Sequence, residues 1–372
     1  MWTQAVVVVQ WCIGFALCWR VVRLVAGTPQ QERAVSVIVP ARNEALVLPE
    51  LLGRLQAQTC PPHELIVVDD HSSDGTAACA QEFGVTVIAG APLPVGWTGK
   101  AWACAQGAER ATGDVLVFLD ADTEPEPQLL EWLVARQEQC GGLISVQPYH
   151  RTGRVVEKLS AFFNLIAVMA TGLGSINPRA KRTGAFGACL ATSAADYEQA
   201  GGHEAARASV LEDVALANAY ASAGLPVDTT TGRKSIAFRM YPMGVRQMVE
   251  GWGKNFASGA GTTPPVRFVF VFAWVTACVS LSIGAVVAIV QAVADGAAPG
   301  WFYAAAYGAF ALQLFFMLRQ VGTFGAGTAL LFPVFVFAFL LVFVWSSINT
   351  LVRREVQWKG RAISTRNARS PS

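Results

Sequence analysis

The stretch Val115-Leu116-Val117-Phe118-Leu119-Asp120-Ala121-Asp122 decides the fold that this sequence predicts. Its first five residues are apolar, follow Gly113-Asp114 and predict a strand that is buried on both faces. Asp120 and Asp122 end this strand, where both carboxylates can turn toward one cation. An Asp-x-Asp at the carboxyl end of a central strand suits a metal and a phosphorylated ligand. For the tripeptide alone, the alternative is a solvated turn.

The composition is that of a membrane protein rather than of an ordinary soluble one. Of the 372 residues, 53% are hydrophobic and only 15% are charged, and the mean hydropathy is +0.40. The net charge of +2 argues against nucleic acid as the main partner. Eight cysteines are scattered without a Cys-x-x-Cys pair or a nearby histidine cluster. Neither a zinc site nor a disulfide framework is therefore predicted.

Residues 1–28 are expected to form an N-terminal transmembrane helix. Its apolar run, residues 5–25, is long enough to span a bilayer and has no obvious cleavage site after it, which predicts a retained anchor. Arg20 and Arg23 stand near the downstream end of the run, whereas no Lys or Arg precedes it. The positive-inside rule therefore predicts an integral protein of the cell membrane whose next domain is cytoplasmic.

Three more apolar stretches, at residues 268–293, 301–318 and 330–351, are the predicted membrane segments of a C-terminal region, 266–352. The basic tail, 353–372, is expected in the cytoplasm. Three full crossings from a cytoplasmic domain would leave that tail outside. Either one stretch is re-entrant or interfacial, or the charge rule fails, and both alternatives stay open.

Residues 34–265 alternate between strand and helix patterns, which predicts an α/β domain with a mainly parallel sheet. Polar clusters follow successive strands: Asn43-Glu44, Asp69-Asp70, and Asp120 with Asp122. They are expected to converge at one sheet edge, where their oxygens suit a nucleotide and a cation on its diphosphate. No P-loop motif occurs, and no Gly-x-Gly-x-x-Gly follows the first strand, so neither a P-loop nor a dinucleotide-binding fold is predicted.

Two further charged positions have a structural and a chemical interpretation each. Lys100 follows Gly99 and either contacts a ligand's phosphates as a point charge or is a solvated lysine at a helix start. Glu212 and Asp213 open a predicted helix, where the helix dipole favours carboxylates. A carboxylate facing the metal site could instead act as a general base toward an incoming hydroxyl.

Five motifs follow one another along the sequence: residues 40–44, 68–76, 99–107, Asp120-Ala121-Asp122 and Glu212-Asp213. In this order and approximate spacing, the sequence resembles family 2 glycosyltransferases of the GT-A fold, over about residues 34–260. The second motif, Asp69-Asp70-His71-Ser72-Ser73-Asp74-Gly75-Thr76, is the most distinctive of the five.

This resemblance implies a Rossmann-like GT-A domain that uses a UDP-sugar donor and Mg²⁺ or Mn²⁺. It implies an inverting displacement with Asp213 as the base, Glu212 beside it, and Asp122 and Asp120 at the metal. The implied nucleotide-sugar contacts are Pro40, Arg42, Glu44, Asp70, Lys100, Asp120 and Ala121.

A narrower likeness rests on residues 184–189, 201–203, 250–256 and 357–361. These stretches resemble the membrane-anchored family members that glycosylate carotenoids, the diaponeurosporenoate glucosyltransferases, with hopanoid-associated transferases second. The likeness implies transfer of glucose from UDP-glucose to a hydroxyl or carboxyl of a carotenoid or other isoprenoid lipid in the bilayer. Processive polysaccharide synthases carry Gln-x-x-Arg-Trp, but here Glu250 replaces the Arg and Trp252 is displaced by one position. Transfer of one sugar is therefore favoured over polymer synthesis.

Candidate acceptor contacts are Trp252, His203 and Phe186, although a lone His beside two glycines is also typical of a hydrogen-bonded loop. Residues 162–169 are interpreted either as a core helix or as an apolar element at the membrane surface. A polyprenyl-phosphate glycosyltransferase is the enzymatic alternative, and its phosphate would need the basic cluster of Arg179, Lys181 and Arg182. A non-catalytic membrane scaffold with the same fold is the alternative from another class.

Overall fold

The computed structural model describes residues 2–177, 180, 182–209, 211–295, 301–349, 355–358 and 361–364. The chain divides into two compact units, each built from separate parts of the sequence. The α/β unit comprises Val22–Arg151, Gly184–Met240 and Arg354–Ser372, and the helical unit comprises Met1–Val21, Thr152–Thr183 and Tyr241–Arg353. Residues 152–183 and 241–265 thus belong to the helical unit, although the sequence pattern placed them in the predicted domain 34–265.

The strands, in chain order, are β1 (Val35–Ala41), β2 (Glu64–Asp69), β3 (Thr86–Ala89), β4 (Val115–Leu119), β5 (Thr123–Pro125), β6 (Leu143–Gln147), β7 (Tyr149–His150), β8 (Cys189–Ser193), β9 (Val227–Thr231), β10 (Ile236–Phe238), β11 (Glu355–Trp358) and β12 (Arg361–Ser364).

The α-helices are α1 (Trp2–Leu17), α2 (Leu48–Gln56), α3 (Thr76–Glu82), α4 (Gly99–Arg110), α5 (Leu129–Cys140), α6 (Ala161–Thr171), α7 (Ala194–Gln199), α8 (Glu212–Ser222), α9 (Val245–Thr262), α10 (Pro265–Asp295), α11 (Trp301–Val321), α12 (Ala326–Leu330) and α13 (Phe332–Ile348). Short 3-10 helices cover Val156–Ser160 and Gly202–Glu204.

A seven-stranded sheet forms the centre of the α/β unit, in the order β3-β2-β1-β4-β8-β6-β9. Strand β8 runs antiparallel to both of its neighbours, and the other pairs in this sheet are parallel. The carboxyl ends of β1, β2 and β4 therefore meet at one edge, and β8 begins at that edge because it runs against β4. A smaller sheet has the order β5-β10-β7. The prediction of an α/β class with a mixed, mainly parallel sheet is confirmed.

The alternation of side chains along β4 explains why helices cover both faces of the large sheet. Val115, Val117 and Leu119 pack in one core with leucines of α2 and α5, which are Leu48, Leu51, Leu52, Leu55, Leu129, Leu130 and Leu133. Leu116 and Phe118 belong to a second core that includes residues of α4 and α8. Burying apolar surface contributes about 25 cal/mol per Å². Burial on both faces thus fixes the strand end that carries Asp120.

The N-terminal helix is shorter than predicted. Helix α1 covers 16 residues, about 24 Å at 1.5 Å per residue, and is one of the shorter apolar helices of the chain. The expected continuation of the helix to residue 25 is wrong, because residues 22–24 join the edge of the sheet instead. Thr231 donates its N–H to the Val22 carbonyl at 2.9 Å, and Leu24 donates its own to the Thr231 carbonyl at 3.0 Å. A membrane crossing by the N-terminal segment stays a prediction.

Two C-terminal helices have the length and hydropathy of membrane spans, a criterion that buried core helices also meet. They are residues 265–294 in α10 and 301–321 in α11, with mean hydropathies of 2.2 and 1.4. The third predicted stretch, 330–351, contains the 17-residue helix α13, which is among the shorter apolar helices. The expected direction of each segment across the membrane stays a prediction. In the tail, 353–372, the described residues are those of β11 and β12.

Polar side chains join α1, α10 and α11 within the helical unit. The Gln313 Oε1 atom accepts a hydrogen bond from Trp274 Nε1 at 3.0 Å, and Gln313 Nε2 donates to the Trp11 carbonyl at 2.8 Å. Gln10 Nε2 donates to the Ala273 carbonyl at 2.9 Å. A buried amide that has satisfied partners fixes the register of neighbouring apolar helices, which dispersion contacts alone specify weakly.

We predict that Gly107→Ala destabilises the α/β unit. A Cβ atom at Gly107 in α4 would lie 2.4 Å from Ile38 Cγ2 and 3.2 Å from Val68 Cγ2. Overpacking of a filled core costs about 1–3 kcal/mol, which exceeds the gain of about 1 kcal/mol from placing Ala rather than Gly in a helix. Thermal unfolding of the purified chain should show the Tm lowered by several degrees.

The control is Gly53→Ala, the same exchange at an exposed position of α2. There the nearest atom to an added Cβ would be Phe83 Cε1, 4.0 Å away. This variant should unfold at or slightly above the wild-type Tm, because only the helix propensity changes. A Gly107→Ala protein as stable as Gly53→Ala would contradict the packing argument.

Candidate functional site

The loops after β1 and β2 are held together by Asn43. Its N–H donates to Ser72 Oγ at 2.9 Å, and its Oδ1 accepts from the Ser73 N–H at 2.8 Å. Asn43 and His71 both have a φ of 55°, in the left-handed region that Asn adopts more readily than most residues. The two predicted motifs therefore form one rigid structure.

The same two loops are joined again one residue further along. The Glu44 N–H donates to Thr76 Oγ1 at 2.9 Å, and the Ala45 N–H donates to Asp74 Oδ2 at 3.1 Å. Partial burial raises the pKa of the Asp74 carboxyl, but hydrogen bonds from Thr76 and Ala45 outweigh it and leave that pKa below its usual range. Asp74 and Thr76 thus organise the loops, and Glu44 is held at the sheet edge by its backbone.

Arg42 and Asp70 form an ion pair at this edge. Arg42 Nη1 donates to the Asp70 carbonyl at 3.2 Å and lies 3.5 Å from Asp70 Oδ2, and Asp70 is only 7% exposed. Pro40 lies just before them in β1. Because β1 pairs with β4 only as far as Ile38, Pro40, which has no N–H, comes after the end of that ladder.

Asp120-Ala121-Asp122 forms the turn between β4 and β5. The Asp120 N–H donates to the Ala188 carbonyl at 3.0 Å, and the Asp120 carbonyl accepts from the N–H and Oγ1 of Thr123 at 3.1 and 2.7 Å. The Ala121 side chain packs in the core and is 4% exposed, whereas Asp120 and Asp122 are half-buried. The turn thus buries its apolar residue and leaves both carboxylates at the sheet edge.

Lys100 lies among the acidic groups of this edge. Its Nζ is 2.7 Å from Asp120 Oδ1 and 3.3 Å from Glu212 Oε1, and it donates to the Gly187 carbonyl at 3.1 Å. Burial by itself lowers the pKa of the ammonium, but the carboxylates of Asp120 and Glu212 outweigh it and raise that pKa well above its ordinary value. Lys100 is therefore charged, and it is not the solvated lysine of the alternative interpretation.

Asp213 lies next to this cluster at the start of α8. Its Oδ2 accepts from the Gly187 N–H at 3.0 Å, and its Oδ1 accepts from the Val214 N–H at 2.8 Å. Burial and, after it, the nearby Glu212 carboxylate raise the pKa of Asp213 to about 6, although Lys100 and the two N–H groups oppose the shift. A carboxyl with such a pKa can exchange a proton near neutral pH, as general-base chemistry requires.

Of the three candidate acceptor contacts, Phe186 lies beside Asp213's partner Gly187. Phe186 is half-buried, and its N–H donates to Ser145 Oγ at 2.7 Å. His203 is instead a core residue, 2% exposed, with Nδ1 2.9 Å from the Tyr197 hydroxyl. Burial lowers the pKa of His203 to about 3, so its ring is neutral. The hydrogen-bonded alternative describes His203, because its ring is enclosed and has little surface to offer a ligand.

Trp252 does not form an exposed platform. It lies in α9 of the helical unit, is 7% exposed and donates from Nε1 to Ser160 Oγ at 3.0 Å. Its ring stacks on Phe163 with a centroid distance of 5.0 Å. That Trp252 receives an acceptor stays a prediction, and in this structure its face and its polar edge both have partners in the helical unit.

Helix α6 decides between the two interpretations of residues 162–169. Phe162, Phe163, Leu165, Val168 and Met169 are fully buried, so this is a core helix of the helical unit rather than an amphipathic surface element. Arg179 and Lys181, the first two members of the suggested phosphate-binding cluster, lie outside the described residues. Arg182 lies in the helical unit.

The carboxylate oxygens at the sheet edge fit a hard divalent cation only if a bound substrate completes its coordination. Within the part of the chain that the structure describes, no three His, Cys, Asp or Glu side chains gather as a metal cage. Mg²⁺ is commonly held by one or two carboxylates together with substrate phosphates and water. Asp120 and Asp122 supply such carboxylates, and Asp120 is at present ion-paired to Lys100.

Sequence reasoning missed the role of Gly187, which hydrogen-bonds both Lys100 and Asp213 through its backbone. The role belongs to the Gly187 backbone, so its residue type does not indicate it. Only the position of residues 186–188, just before the antiparallel strand β8, could have suggested it. A Cβ at Gly187 would approach Asp213 Cβ and Lys100 Nζ to 3.2 Å each, so the close fit favours glycine.

Comparison with known proteins relates the chain to a described family. Residues 36–192 match the model of glycosyl transferase family 2. The chain is 34% identical, over 339 residues and 89% of each chain, to the 4,4'-diaponeurosporenoate glycosyltransferase of Staphylococcus haemolyticus strain JCSC1435. It is 33% identical to the protein of the same name from Staphylococcus aureus strain USA300, over 89% of this chain and 88% of that one.

Among solved structures, the chain is similar to the mannosyltransferase PcManGT from Pyrobaculum calidifontis, determined in complex with GDP-Man and Mn²⁺. The TM-score is 0.52 at 20% identity, and the match covers 92% of this chain and 99% of that chain. At this level of identity the likeness is one of fold, and it confirms the predicted GT-A class.

We predict that Asn43→Ala destabilises the paired loops more than Asn43→Gly does. Alanine, like glycine, keeps the N–H that donates to Ser72 but loses the Oδ1 that accepts from the Ser73 N–H, a hydrogen bond worth about 1 kcal/mol. It also pays about 1–2 kcal/mol for the left-handed backbone, which glycine does not. The Tm should therefore fall in the order wild type, Asn43→Gly, Asn43→Ala. Equal Tm values for the two variants would show that φ at Asn43 contributes nothing.

Proposed function

The chain belongs to glycosyl transferase family 2, and from this premise we propose that it transfers one glucose from UDP-glucose to a hydroxyl or carboxyl of a carotenoid-type lipid. The observation that supports the acceptor class is identity of one third, across 89% of the chain, to relatives named 4,4'-diaponeurosporenoate glycosyltransferase. The similarity extends well beyond residues 36–192, the part that matches the family model. It therefore includes much of the helical unit as well as the nucleotide-binding motifs.

In this proposal the loops after β1 and β2 bind the nucleotide. Glu44 and Asp70 accept hydrogen bonds from the base and ribose, and Arg42 orients Asp70 through its contacts with the Asp70 carbonyl at 3.2 Å and with Oδ2 at 3.5 Å. The hydrogen bonds of Asn43 support this arrangement, because rigid loops lose little entropy when a ligand binds. Pro40 and the Ala121 backbone are further contacts to the nucleotide sugar in this proposal.

The diphosphate is proposed to lie at Asp120 and Asp122, whose carboxylates would hold Mg²⁺ or Mn²⁺ beside it. A bound cation would supply Lewis-acid stabilisation of the departing diphosphate. Support comes from the turn geometry, which leaves both carboxylates at the sheet edge, and from the oxygen chemistry of the donor set. Asp122 is the proposed principal ligand.

Asp213 is the proposed base of a single inverting displacement. For a hydroxyl acceptor, its carboxylate removes the proton as the acceptor oxygen bonds to the sugar's anomeric carbon and the bond to the diphosphate breaks. The hydrogen bonds from Gly187 and Val214 orient the carboxylate, and its pKa of about 6 suits proton transfer near neutral pH. Glu212 holds Lys100 beside it.

The lipid acceptor requires access to a bilayer. We propose that α10 and α11 cross the cell membrane and that the α/β unit works on the cytoplasmic side, where nucleotide sugars are made. The supporting observations are the hydropathies of 2.2 and 1.4 over 30 and 21 residues. The bilayer itself would then concentrate an acceptor that water cannot dissolve.

The experiment that tests the activity supplies labelled UDP-glucose to membranes that contain the protein and extracts the lipids. We expect label in a pigmented, carotenoid-type lipid, and none when labelled GDP-mannose is supplied at the same concentration. Label in an acid-labile phospholipid would point to a polyprenyl-phosphate acceptor instead. Absence of label in any lipid would overturn the proposed reaction.

We predict that Asp213→Asn keeps donor binding but lowers turnover of a hydroxyl acceptor by about 10²-fold or more, the usual scale for loss of a general base. Asn still offers an oxygen to the Gly187 N–H, so the fold is preserved. In the wild type, the rate should rise with pH and level off above about 6, because the raised pKa leaves Asp213 protonated in acid. The turnover of the Asp213→Asn variant should not show this fall in rate at acid pH.

An acceptor carboxylate provides the matched control, since it is already ionised near neutral pH and needs no base. Asp213→Asn should then lower turnover by less than about tenfold. Comparing the two acceptor types in one assay thus identifies the group that is glycosylated. Near-normal turnover of a hydroxyl acceptor would remove Asp213 from the role of base.

A further inference from the structure

Lys100 is bound by both halves of the proposed site. Its ammonium contacts Asp120 on the donor side at 2.7 Å and Glu212 on the base side at 3.3 Å. It also donates to the Gly187 carbonyl at 3.1 Å. The Lys100 side chain is only 18% exposed, so these protein oxygens replace most of its water. An ammonium this poorly hydrated depends on its carboxylate partners to stay where it is.

The position of the ammonium conflicts with binding of a divalent cation alone. Asp120 is one of the two carboxylates proposed to hold that cation, and its Oδ1 already has a positive charge 2.7 Å away. Two cations that share one carboxylate in a partly buried site repel each other strongly, because water screens them poorly. A nucleotide diphosphate supplies several negative charges, which offset this repulsion.

We propose that Lys100 is a positioning residue, the internal counter-ion of Asp120, and that it makes divalent-cation binding depend on the nucleotide diphosphate. This inference rests on the proposed function, because it assumes that Asp120 serves a cation and a diphosphate. In the absence of the nucleotide donor, the single ammonium offsets part of the negative charge of Asp120 and Glu212 and holds these two like charges together at the sheet edge. The donor and the cation then bind cooperatively rather than independently.

Gly187 extends this arrangement to the base. Its carbonyl accepts from Lys100, and its N–H donates to Asp213 at 3.0 Å, so one peptide group connects Lys100 to the Asp213 carboxyl. Any adjustment of the ammonium toward a bound diphosphate also changes what Gly187 and Glu212 contact. Lys100 therefore couples occupation of the donor side to the arrangement of the base side.

The test measures binding of Mn²⁺ to the purified full-length chain in detergent, from the EPR signal of free aqueous Mn²⁺, with and without UDP. In the wild type, we expect UDP to tighten Mn²⁺ binding by about tenfold or more, which lies within the usual range of coupling between two ligands. Lys100→Met should bind Mn²⁺ alone about fivefold tighter than the wild type, and the effect of UDP should fall by a similar factor.

Lys100→Gln is the second variant, because its amide can still donate to Gly187 and Asp120 without the charge, and it should behave as Lys100→Met does. Lys100→Arg keeps the charge and should keep most of the coupling. Lys234→Met is the matched control, since it removes one positive charge from an exposed position of the same unit and should leave both affinities unchanged.

The outcomes separate this inference from the function on which it rests. If the wild type binds UDP with Mn²⁺ but Lys100→Met and Lys100→Gln bind Mn²⁺ alone no more tightly than it does, Lys100 is not the counter-ion and only this inference fails. If the wild type binds no Mn²⁺ even with UDP, or if Asp122→Ala binds as the wild type does, the proposed metal site fails as well.

Discussion

The pairing of β4 with β1 on one side and with β8 on the other is the constraint on which the site depends. The parallel ladder from Val35–Val115 to Ile38–Phe118 brings the ends of β1 and β4 to one edge. The antiparallel ladder from Val115–Ser193 to Leu119–Cys189 brings the start of β8 to the same edge. A single reversed strand thus places the Gly187 peptide beside Asp120. Without that reversal, Lys100 and Asp213 would have no common backbone partner.

Cationic side chains at this edge pair with three of its carboxylates. Arg42 pairs with Asp70, and Lys100 pairs with both Asp120 and Glu212. Asp213 is different, because its partners are the backbone N–H groups of Gly187 and Val214 rather than a side-chain cation at contact distance. Two N–H groups orient a carboxylate without fully compensating its burial, and this explains why its pKa rises while its geometry stays fixed.

The sequence predicted those parts of the structure that depend on local pattern. The apolar run of β4 followed by Asp120 and Asp122, and the polar clusters after β1 and β2, were predictable because strand burial and parallel pairing imply a common edge. The end of α1 was not, because the apolar run continues to residue 25 with only Arg20 and Arg23 interrupting it after residue 17, and only tertiary pairing with Thr231 draws residues 22–24 into the sheet. The burial of Trp252 and His203 was not predictable for a related reason. Aromatic and imidazole rings suit a core as well as a site, and only their measured burial distinguishes the two.

The distinctive second motif is evidence for fold more than for chemistry. The loop after β2 is hydrogen-bonded to the loop after β1 through Ser72, Ser73 and Thr76. A non-catalytic scaffold would therefore retain these residues for stability alone. An enzyme is therefore distinguished from a scaffold by groups that stability does not favour. Because the pKa of the Asp213 carboxyl is raised from 3.8 to about 6, it costs folding free energy that develops as the pH rises through this range, and an apolar residue there would avoid that cost. A desolvated carboxyl placed one peptide away from the Lys100 and Asp120 ion pair is an arrangement that group transfer uses and that packing alone does not require.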